Sequence, residues 1–432
     1  MPACTAANRP RRLNSSMFTP LKWNALVVVT LLAAAFPTAA QNHAPQNANP
    51  APPHVFLLNA QELATLRAAD AKDPRRQELA QAVTTAADRA MTEGPFSVMD
   101  KPVTPPSGDK HDYMSRATYF WPDPSKPDGL PYIRRDGQTN PENRKITDHE
   151  EFGRMCTAAR ALALAWYFTG KADYANRSAL LLRTWFLDPA TKMNPNLEFA
   201  QAIVGVNTGR GIGIIDTRPL VDAVDAIGLL AGSPAWTATD DKGLHDWFEQ
   251  YLHWMRTSKN GLAEDAAKNN HGNWYDVQIT SMALFLGDRT LARDTLERVK
   301  TRRIAVQIEP DGREPLELAR TKAWGYSTMS LDALCRLATF GDVVGVDLWN
   351  FKTADGRSIR AAIDFLVPYA ADKKAWDFQE IAGFHADAMT PTLLRAAKVY
   401  HDPKYAALAQ QIGSGRDDVE TLLLRDALPI RH

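Results

Sequence analysis

From about residue 60 onward, the chain is a succession of segments with the 3.6-residue periodicity of α-helices. In the stretches 158–168 and 178–187, apolar residues cover most of the helix surface, which is typical of helices buried on more than one side. Alternating patterns typical of strands are scarce, and the best short candidate, 304–308, is weak. An all-α fold is therefore predicted. The predicted helical stretches are 60–92, 150–169, 173–187, 218–231, 241–257, 274–286, 289–306, 327–340, 357–371, 391–400 and 402–411.

Pairs of these helices recur every 40 to 50 residues or so, without close sequence identity between the pairs. This spacing favours an (α/α) toroid, an incomplete α/α barrel of about six to seven helix pairs, over a four-helix bundle. A HEAT-like solenoid remains an alternative. The chain has 432 residues, which is long for one domain, but one toroid accommodates them. No second domain is evident, so 56–432 is predicted to form a single domain.

The N-terminal 40 residues have the pattern of a secretory signal peptide. Basic residues between positions 9 and 22 precede an apolar run at 25–36, and small residues follow at 38–40. The run is shorter than the roughly 20 residues that span a bilayer, although a membrane anchor or a buried helix is the alternative. A polar, proline-containing linker at 41–55 is expected to follow. The pattern predicts export to the periplasm or beyond the cell.

Composition excludes some classes of partner. Lys and Arg together number 50, as do Asp and Glu, so the basic excess of a nucleic-acid-binding protein is absent. An anionic substrate requires only a local cluster of cations. Cys4 would leave with the signal peptide, whereas Cys156 and Cys335 lie in apolar helical runs and are either a disulfide or two buried thiols. No motif of a metal or cofactor site is present, and neither is expected.

Three long connections interrupt the helices, at 101–149, 188–217 and 307–326. Connections of this length in a compact domain are usually functional. In a toroid they are expected to gather at one end of the central cavity.

The densest polar cluster is 268–278, which contains three Asn, His271, Trp274 and Tyr275. One alternative is that the Asn residues cap a helix and that the His is structural. One Asn suffices for a cap, however, and the two aromatic rings offer a surface on which sugars stack. The cluster is therefore interpreted as a functional site.

Two further clusters accompany it. In 317–326, Arg320 and Tyr326 are six residues apart, and Gly325 would loosen the turn so that Tyr326 projects into a cavity; an ordinary amphipathic helix start is the alternative. The segment 111–124 combines aromatic residues and an Arg in a proline-rich loop, which suggests either a carbohydrate platform or a loop pinned by its aromatic side chains. Arg210 lies in Gly-Arg-Gly-Ile-Gly, which lacks the spacing of a nucleotide-binding turn, so we expect it to contact a carboxylate.

Four segments carry a family resemblance. KNNHGNWYDVQ and PDGREPLELARTKAWGYS resemble motifs of the alginate lyases of polysaccharide lyase family 5, and HDYMSRATYFWPDP and NPNLEFAQAIVGVNTGRGIGIID correspond to segments of that superfamily. The interval from Arg320 to Tyr326 is shorter than in family 5 and is more similar to polysaccharide lyase family 38, which includes alginate and glucuronan lyases. The resemblance spans about residues 105 to 385 and implies an α/α toroid. It implies Asn270, His271, Arg320 and Tyr326 as active-site residues.

The expected reaction is β-elimination in a 1,4-linked uronic-acid polymer. The proton on C5 lies next to a carboxylate, so Asn270 and Arg320 are expected to stabilise that carboxylate while the proton leaves. Tyr326 is the expected acid and base, its phenolate favoured by Arg320, and His271 is a base or assists. On mannuronate or glucuronate one Tyr could serve in both roles, whereas guluronate would need His271 as the base. The residues expected to bind substrate are Glu264, Asn269, Trp274, Tyr113, Arg116, Trp121, Gln201, Arg210 and Lys322.

Two other functions remain open from the sequence. An inverting glycoside hydrolase on the same scaffold would need two carboxylates about 6.5–9.5 Å apart, and Asp112, Asp123, Glu264 and Asp276 are candidates. A non-catalytic glycan-binding protein would use Trp121, Trp274 and Trp324 for stacking and would not need Tyr326.

Overall fold

The computed structural model describes residues 52–413 and 419–426. The expected signal peptide and most of the expected linker lie outside the described residues. The helices are α1 (Ala60–Ala68), α2 (Pro74–Ala90), α3 (Asp148–Thr169), α4 (Ala172–Phe186), α5 (Leu220–Leu230), α6 (Ala238–Thr257), α7 (Lys259–Asp265), α8 (Asn270–Phe285), α9 (Arg289–Val299), α10 (Ala305–Gln307), α11 (Pro315–Leu318), α12 (Ala323–Val344), α13 (Ile359–Ala370), α14 (Thr390–Tyr400), α15 (Pro403–Ile412) and α16 (Val419–Asp426).

Seven of the helices contact one another in a closed order. Helix α3 packs against α5, α5 against α8, α8 against α12 and α12 against α14. Helix α14 then packs against α16, α16 against α2 and α2 against α3, which completes the ring. Outer helices lie against this ring, among them α4 on α3, α9 on α8, α13 on α12 and α15 on α14. The predicted all-α, α/α-toroid fold is confirmed.

Two small sheets are formed by the long connections. Strand β1 (Met114–Arg116) pairs in parallel with β4 (Phe199–Ala202), and β2 (Phe120–Trp121) pairs antiparallel with β3 (Ile133–Arg134). The first pair joins the first long connection to the second. These two connections therefore gather beside each other, as predicted.

Local sequence explains where the predicted helices differ from the observed ones. The stretch 60–92 is two helices, because the Asp73 side chain accepts hydrogen bonds from the first turn of α2 and Pro74 starts that helix. The strand candidate 304–308 was wrong, since a π-helical turn at Lys300–Ile304 leads directly into α10. Helix α12 ends at Gly345, whose φ of 74° is the left-handed conformation that glycine adopts without strain.

The start of the domain is anchored in the hydrophobic core. Val55, the last residue of the predicted linker 41–55, is buried. The Asp225 carboxylate on α5 accepts hydrogen bonds from the backbone N–H groups of Phe56, Leu57 and Leu58. Cys156 and Cys335 are buried free thiols. In the described ranges, no helix is both long enough and apolar enough to cross a membrane.

Candidate active site

A cavity of about 530 Å³ opens where the long connections meet the starts of α8 and α12. All three long connections contribute to its wall, which confirms that they gather around one cavity. The residues that line it are Thr118, Tyr119, Phe120, Arg134, His149, Gln201, Arg210, Ile212, Ile215, Asp216, Arg218, Asn269, His271, Arg320, Lys322, Gly325, Tyr326 and Met329.

The wall of this catalytic cavity is strongly cationic. It contains Arg134, Arg210, Arg218, Arg320 and Lys322, whereas Asp216 is the only carboxylate among the described residues that line it. Burial lowers the pKa of Arg210 to about 10, which still leaves its guanidinium charged at neutral pH. A local excess of positive charge in a cleft attracts an anionic ligand even when the whole chain is neutral.

His271 is held in one orientation by a buried carboxylate. Its Nδ1 lies 2.8 Å from Oε1 of Glu264, which is on α7 and is fully buried. Because a carboxylate oxygen accepts, this contact places the ring proton on Nδ1 and leaves Nε2 as a free acceptor. His271 is the one residue of α8 that is not buried, and it lines the cavity. Glu264, a residue expected to bind substrate, thus contacts His271.

Asn270 lies behind the cavity wall and is bound by Glu317. Its backbone N–H donates to Glu317 Oε1 at 2.6 Å, and its Nδ2 lies 2.9 and 2.8 Å from the two carboxylate oxygens. Asn269 occupies the N-cap position of α8 but makes no capping hydrogen bond through its side chain. A distant carboxylate therefore caps α8, and the local Asn cap weighed from the sequence is not formed. Within the described part of the chain, Asn270 Oδ1 has no hydrogen-bond partner.

A second buried carboxyl group, Glu314, lies close to Glu317. It accepts a hydrogen bond from Ser330 Oγ at 2.6 Å, and Ser330 in turn accepts one from Asn273 Nδ2 at 3.0 Å. Burial and the charge of Glu317 raise the pKa of Glu314 to about 8. The folded protein therefore keeps Glu314 protonated at pH values where a Glu in the unfolded chain is ionised.

This buried acid predicts a pH-dependent stability. Between the ordinary Glu value of 4.5 and about 8, the folded state binds a proton that the unfolded state lacks, so stability falls as the pH rises. Glu314→Gln should remove this slope. The variant and the parent should melt alike near pH 4.5, and at pH 8 the variant should melt higher, on the order of 5 °C. An equal difference at both pH values, measured by calorimetry, would exclude this explanation.

Tyr326 and Arg320 meet in the wall of the same cavity. Arg320 precedes α12 and donates from one terminal nitrogen to the Tyr326 hydroxyl at 2.9 Å, with its guanidinium carbon 3.8 Å from the ring centre. Tyr326 donates to the Tyr119 hydroxyl at 2.8 Å. Asp136 fixes the guanidinium through contacts of 2.7 and 3.2 Å. The two residues predicted from the second cluster are therefore in direct contact.

The surroundings of Tyr326 favour the neutral phenol. Burial raises the pKa of Tyr326 above its usual value, and the hydrogen bond with Tyr119 adds to this effect. The positive charge of Arg320 lowers the pKa but does not compensate. Arg320 thus acts in the expected direction, but burial and Tyr119 outweigh it in the protein without ligand. Tyr326 therefore retains its proton at neutral pH.

Asp216 organises a third part of the wall. Its carboxylate accepts hydrogen bonds from Ser115 Oγ at 2.5 Å, Tyr113 at 3.2 Å and Gln201 Nε2 at 2.8 Å. Arg210 is held by the carbonyl groups of Gln201, at 3.0 and 3.1 Å. Gln201 has a φ of 49°, which is strained for a residue other than glycine and which the surrounding contacts maintain.

The glycines on either side of Arg210 allow the backbone of this segment to pack closely against its neighbours. A Cβ on Gly209 would lie 1.9 Å from the backbone oxygen of Glu198, and one on Gly213 would lie 2.6 Å from the Cβ of Ala200. The segment therefore packs tightly on β4 and holds Arg210 in the cavity wall, which is where the sequence predicted a carboxylate contact.

The predicted site residues divide into three groups. Those that line the cavity are Tyr326, His271, Arg320, Asn269, Gln201, Arg210 and Lys322. Glu264 and Asn270 lie directly behind it. The remaining four predicted residues, Tyr113, Arg116, Trp121 and Trp274, do not line it.

For two of these four residues, the predicted role in substrate binding was wrong. Trp274 and Tyr113 are buried in the core, so their rings offer no face to a sugar. Helix α8 is buried on nearly all sides, and the guanidinium carbons of Arg218 and Arg336 lie 6.0 and 5.7 Å from the centre of the Trp274 ring. Trp121 donates from its indole nitrogen to the Gln138 carbonyl and carries Arg135 over its ring at 5.4 Å, which fits a loop pinned by an aromatic side chain.

Sequence reasoning missed Tyr119, Asp136, His149 and Glu317 as site residues. Tyr119 was visible only as one of several aromatic residues in the first long connection. Asp136, His149 and Glu317 gave no local signal, because their partners are remote in sequence. In the described residues, no group of three or more His, Cys, Asp or Glu side chains has the arrangement of a metal site.

The chain is similar to known proteins in both sequence and structure. The model of the family described as "Alginate lyase" matches residues 97–376. The crystal structure of an alginate lyase from Bacteroides ovatus is 42% identical, with a TM-score of 0.80, over 83% of this chain and 96% of that one. No curated protein sequence matches the chain.

More distant structures share the fold. Alginate lyase A1-III from Sphingomonas species A1 is 17% identical, with a TM-score of 0.53, over 82% of this chain and 91% of that one. A structure of a variant of A1-III complexed with a tetrasaccharide has a TM-score of 0.51 at 17% identity, over 83% of this chain and 91% of that one.

The fold and these relatives define the protein as a polysaccharide lyase built on an α/α toroid. Because the family model covers more than half of the sequence, the chain belongs to the alginate lyase family.

Proposed function

We propose that the protein cleaves a 1,4-linked uronic-acid polymer, alginate or glucuronan, by β-elimination in the catalytic cavity. The observation that carries this proposal is the pairing of an oriented imidazole, His271, with a neutral phenol, Tyr326, inside a cationic wall. An alginate lyase 42% identical to this chain supports the substrate class.

The two groups have complementary roles in proton transfer. His271 Nε2 is an acceptor, because Glu264 fixes the proton on Nδ1, so it is suited to remove the proton from C5. Tyr326 keeps its proton and is suited to deliver it to the leaving O4 as the C4–O4 bond breaks and the C4–C5 double bond forms. The products are one chain with a new reducing end and one with a 4,5-unsaturated uronate.

This division of roles fits best a substrate whose C5 proton and O4 lie on opposite faces of the ring, as in guluronate. Mannuronate and glucuronate place both on one face, where Tyr326 would act as base and then acid. Tyr326 would first have to lose its proton, and Arg320 at 2.9 Å is the cation that stabilises the phenolate. We keep mannuronate-containing alginate and glucuronan as substrates of this second route.

Arg320 is the proposed partner of the reacting carboxylate. It lines the cavity, and Asp136 holds its guanidinium in place. Asn269 and Gln201 are the side-chain amides in the cavity wall, whereas Asn270 lies behind it and, among the described residues, its carbonyl oxygen has no hydrogen-bond partner. Because that oxygen can only accept and the Nδ2 of Asn270 donates to Glu317, the expected carboxylate contact of Asn270 is replaced by a positioning role beside His271, and Arg320 and Asn269 are the proposed donors to the substrate carboxylate. Donors that are in place before reaction stabilise the developing dianion without reorganisation.

Among the residues that the structure describes, the candidate carboxylates of the glycoside hydrolase alternative do not form a pair that lines the catalytic cavity. Of its candidates, Asp112 is bound by Asn194 and Asn196, and Asp276 forms a buried ion pair with Arg303 at 2.7 Å. Neither these two nor Asp123 lines the catalytic cavity. An inverting hydrolase needs two carboxyl groups that face the scissile bond.

Product analysis on defined polymers tests the proposal. Polymannuronate, polyguluronate, mixed alginate and glucuronan are each incubated with the protein, and products are followed by near-ultraviolet absorbance and mass spectrometry. We expect at least one polymer to give absorbing products that are lighter by one water than saturated oligomers. Saturated products of full mass would indicate hydrolysis, and intact polymer in every case would refute the proposal.

Glu317 is predicted to position the start of α8 for catalysis. Glu317→Gln retains the size of the side chain but replaces one acceptor oxygen by a donor, so Asn270 and His271 should shift. A misplacement of this kind costs up to about 10²-fold, so we expect kcat to fall about ten- to hundredfold with a smaller change in KM. Glu309→Gln, which alters an exposed carboxylate, is the control. Unchanged kcat in the Glu317 variant would show that Asn270 is held by other contacts.

A further inference from the structure

A second cavity, of about 740 Å³, adjoins the catalytic one. It lies between the end of α2, the start of α3 and the first long connection. Thr118, His149, Asp216 and Arg218 line both cavities, so the two share one wall. The two cavities are therefore neighbours.

The second cavity is rich in arginine. Arg89, Arg116, Arg144, Arg154 and Arg218 line it, together with three carboxylates, Glu93, Glu150 and Asp216. Two of those carboxylates are already engaged. Glu93 pairs with Arg154 at 2.5 Å, and Asp216 accepts the hydrogen bonds that organise the catalytic wall.

Several of these cations have no counter-ion. In residues 52–413 and 419–426, Arg89, Arg116, Arg144 and Arg218 have no carboxylate within ion-pair distance. The Arg116 Nε is buried without a hydrogen-bond partner in the same ranges. Burial lowers the pKa of Arg218, and the charge of Asp216 only partly offsets this. Arg89 and Arg144 are exposed, whereas Arg116 and Arg218 are partly buried. Partly burying these two cations without anions costs free energy, which an anionic ligand would recover.

His149 stands at the junction of the two cavities. Its Nδ1 lies 3.5 Å from Asp216, whose charge raises the pKa of His149 against the effect of burial. The polar amides of this region are already used, since Asn140 and Asn143 donate to the carbonyl groups of Phe120, Ala117 and Thr118. They hold the loop, and the arginines remain as the groups available to a ligand.

We propose that the second cavity, walled by Arg116, Arg144, Arg218 and His149, binds carboxylates of further uronate units in the same polymer chain that reacts between His271 and Tyr326. This inference rests on the proposed function and extends it. It assigns long anionic oligomers as the preferred substrates, because only they fill both cavities. Guanidinium groups bind carboxylates through charge-assisted, often bidentate hydrogen bonds.

Length dependence of the reaction tests the proposal. Uronan oligomers of defined length are compared for kcat/KM in the parent protein and in Arg116→Gln/Arg144→Gln, whose two changes line only the second cavity. We expect the parent to cleave long oligomers faster than short ones, and the double variant to lose this advantage by at least about tenfold, chiefly in KM. Arg116→Lys/Arg144→Lys keeps both charges and should retain part of the advantage.

Control measurements distinguish a failure of this inference from a failure of the proposed function. Arg313→Gln removes an exposed cation that pairs with Asp311 and Glu309, and it should leave the length dependence unchanged. A double Gln variant that melts like the parent and keeps the full advantage of long oligomers would overturn the inference, as would a parent without length dependence. If the parent cleaves no uronan, binding of long and short oligomers is measured by calorimetry instead. Tighter binding of long oligomers by the parent, lost in the double variant, would support the inference. Equal binding of long and short oligomers would overturn it.

Discussion

Tyr326→Phe is expected to lower kcat by about 10²–10⁴-fold on the best uronan, while binding of the polymer stays measurable. The substitution removes the hydroxyl that receives the Arg320 hydrogen bond and donates to Tyr119, but it keeps the buried ring. If Tyr326 delivers the proton to O4, its loss leaves Tyr119, which also lines the cavity, as the nearest hydroxyl, 2.8 Å from the lost one.

The measurement is initial rate by near-ultraviolet absorbance, with polymer affinity from calorimetry. Tyr174→Phe is the matched control, since it removes a hydroxyl that bonds Asp88 outside both cavities. Its kcat should equal that of the parent. A Tyr326 variant that turns over at near-parental rate would show that the proton comes from elsewhere.

His271→Ala should reduce activity by a similar factor, and most strongly on polyguluronate. On that polymer the C5 proton and O4 lie on opposite faces, so Tyr326 cannot reach both. On polymannuronate the loss should be smaller if Tyr326 serves as base and acid. The ratio of the two losses therefore reports which residue takes the proton from C5.

The buried partner of His271 provides an internal check. Glu264 acts only through the imidazole, so adding Glu264→Gln to His271→Ala should cause little further loss, a non-additive result. His253→Ala, an exposed His on α6, is the control and should keep parental activity. Additive losses would mean that Glu264 contributes to the reaction independently of His271.

Much of the fold could be predicted from local sequence. Apolar periodicity located the inner helices α3, α5, α8 and α12, and the long connections marked the cavity end of the toroid. The family motifs named His271, Arg320 and Tyr326, which line one cavity. Burial was less predictable for aromatic residues. Trp274, for example, follows an Asn-rich cluster and yet is buried in the hydrophobic core.

The remaining parts of the site depend on contacts between distant residues. Asp136 binds Arg320 across 184 positions, Tyr119 meets Tyr326 across 207, and Glu317 caps α8 across 47. No local pattern encodes such pairs, since each partner alone resembles an ordinary loop or surface residue. The pKa of Tyr326 is raised by the burial of its side chain and by the hydrogen bond with Tyr119. Neither could be read from the sequence, which showed only the nearby Arg320 and so predicted a lowered pKa.

A structure of the Tyr326→Phe variant with a bound uronan oligosaccharide tests the central claim most directly. We expect one sugar ring in the catalytic cavity, with its C5 hydrogen facing His271 Nε2, its carboxylate against Arg320, and O4 beside the position of the missing hydroxyl. An oligosaccharide bound outside this cavity, or one whose C5 faces neither His271 nor residue 326, would contradict it.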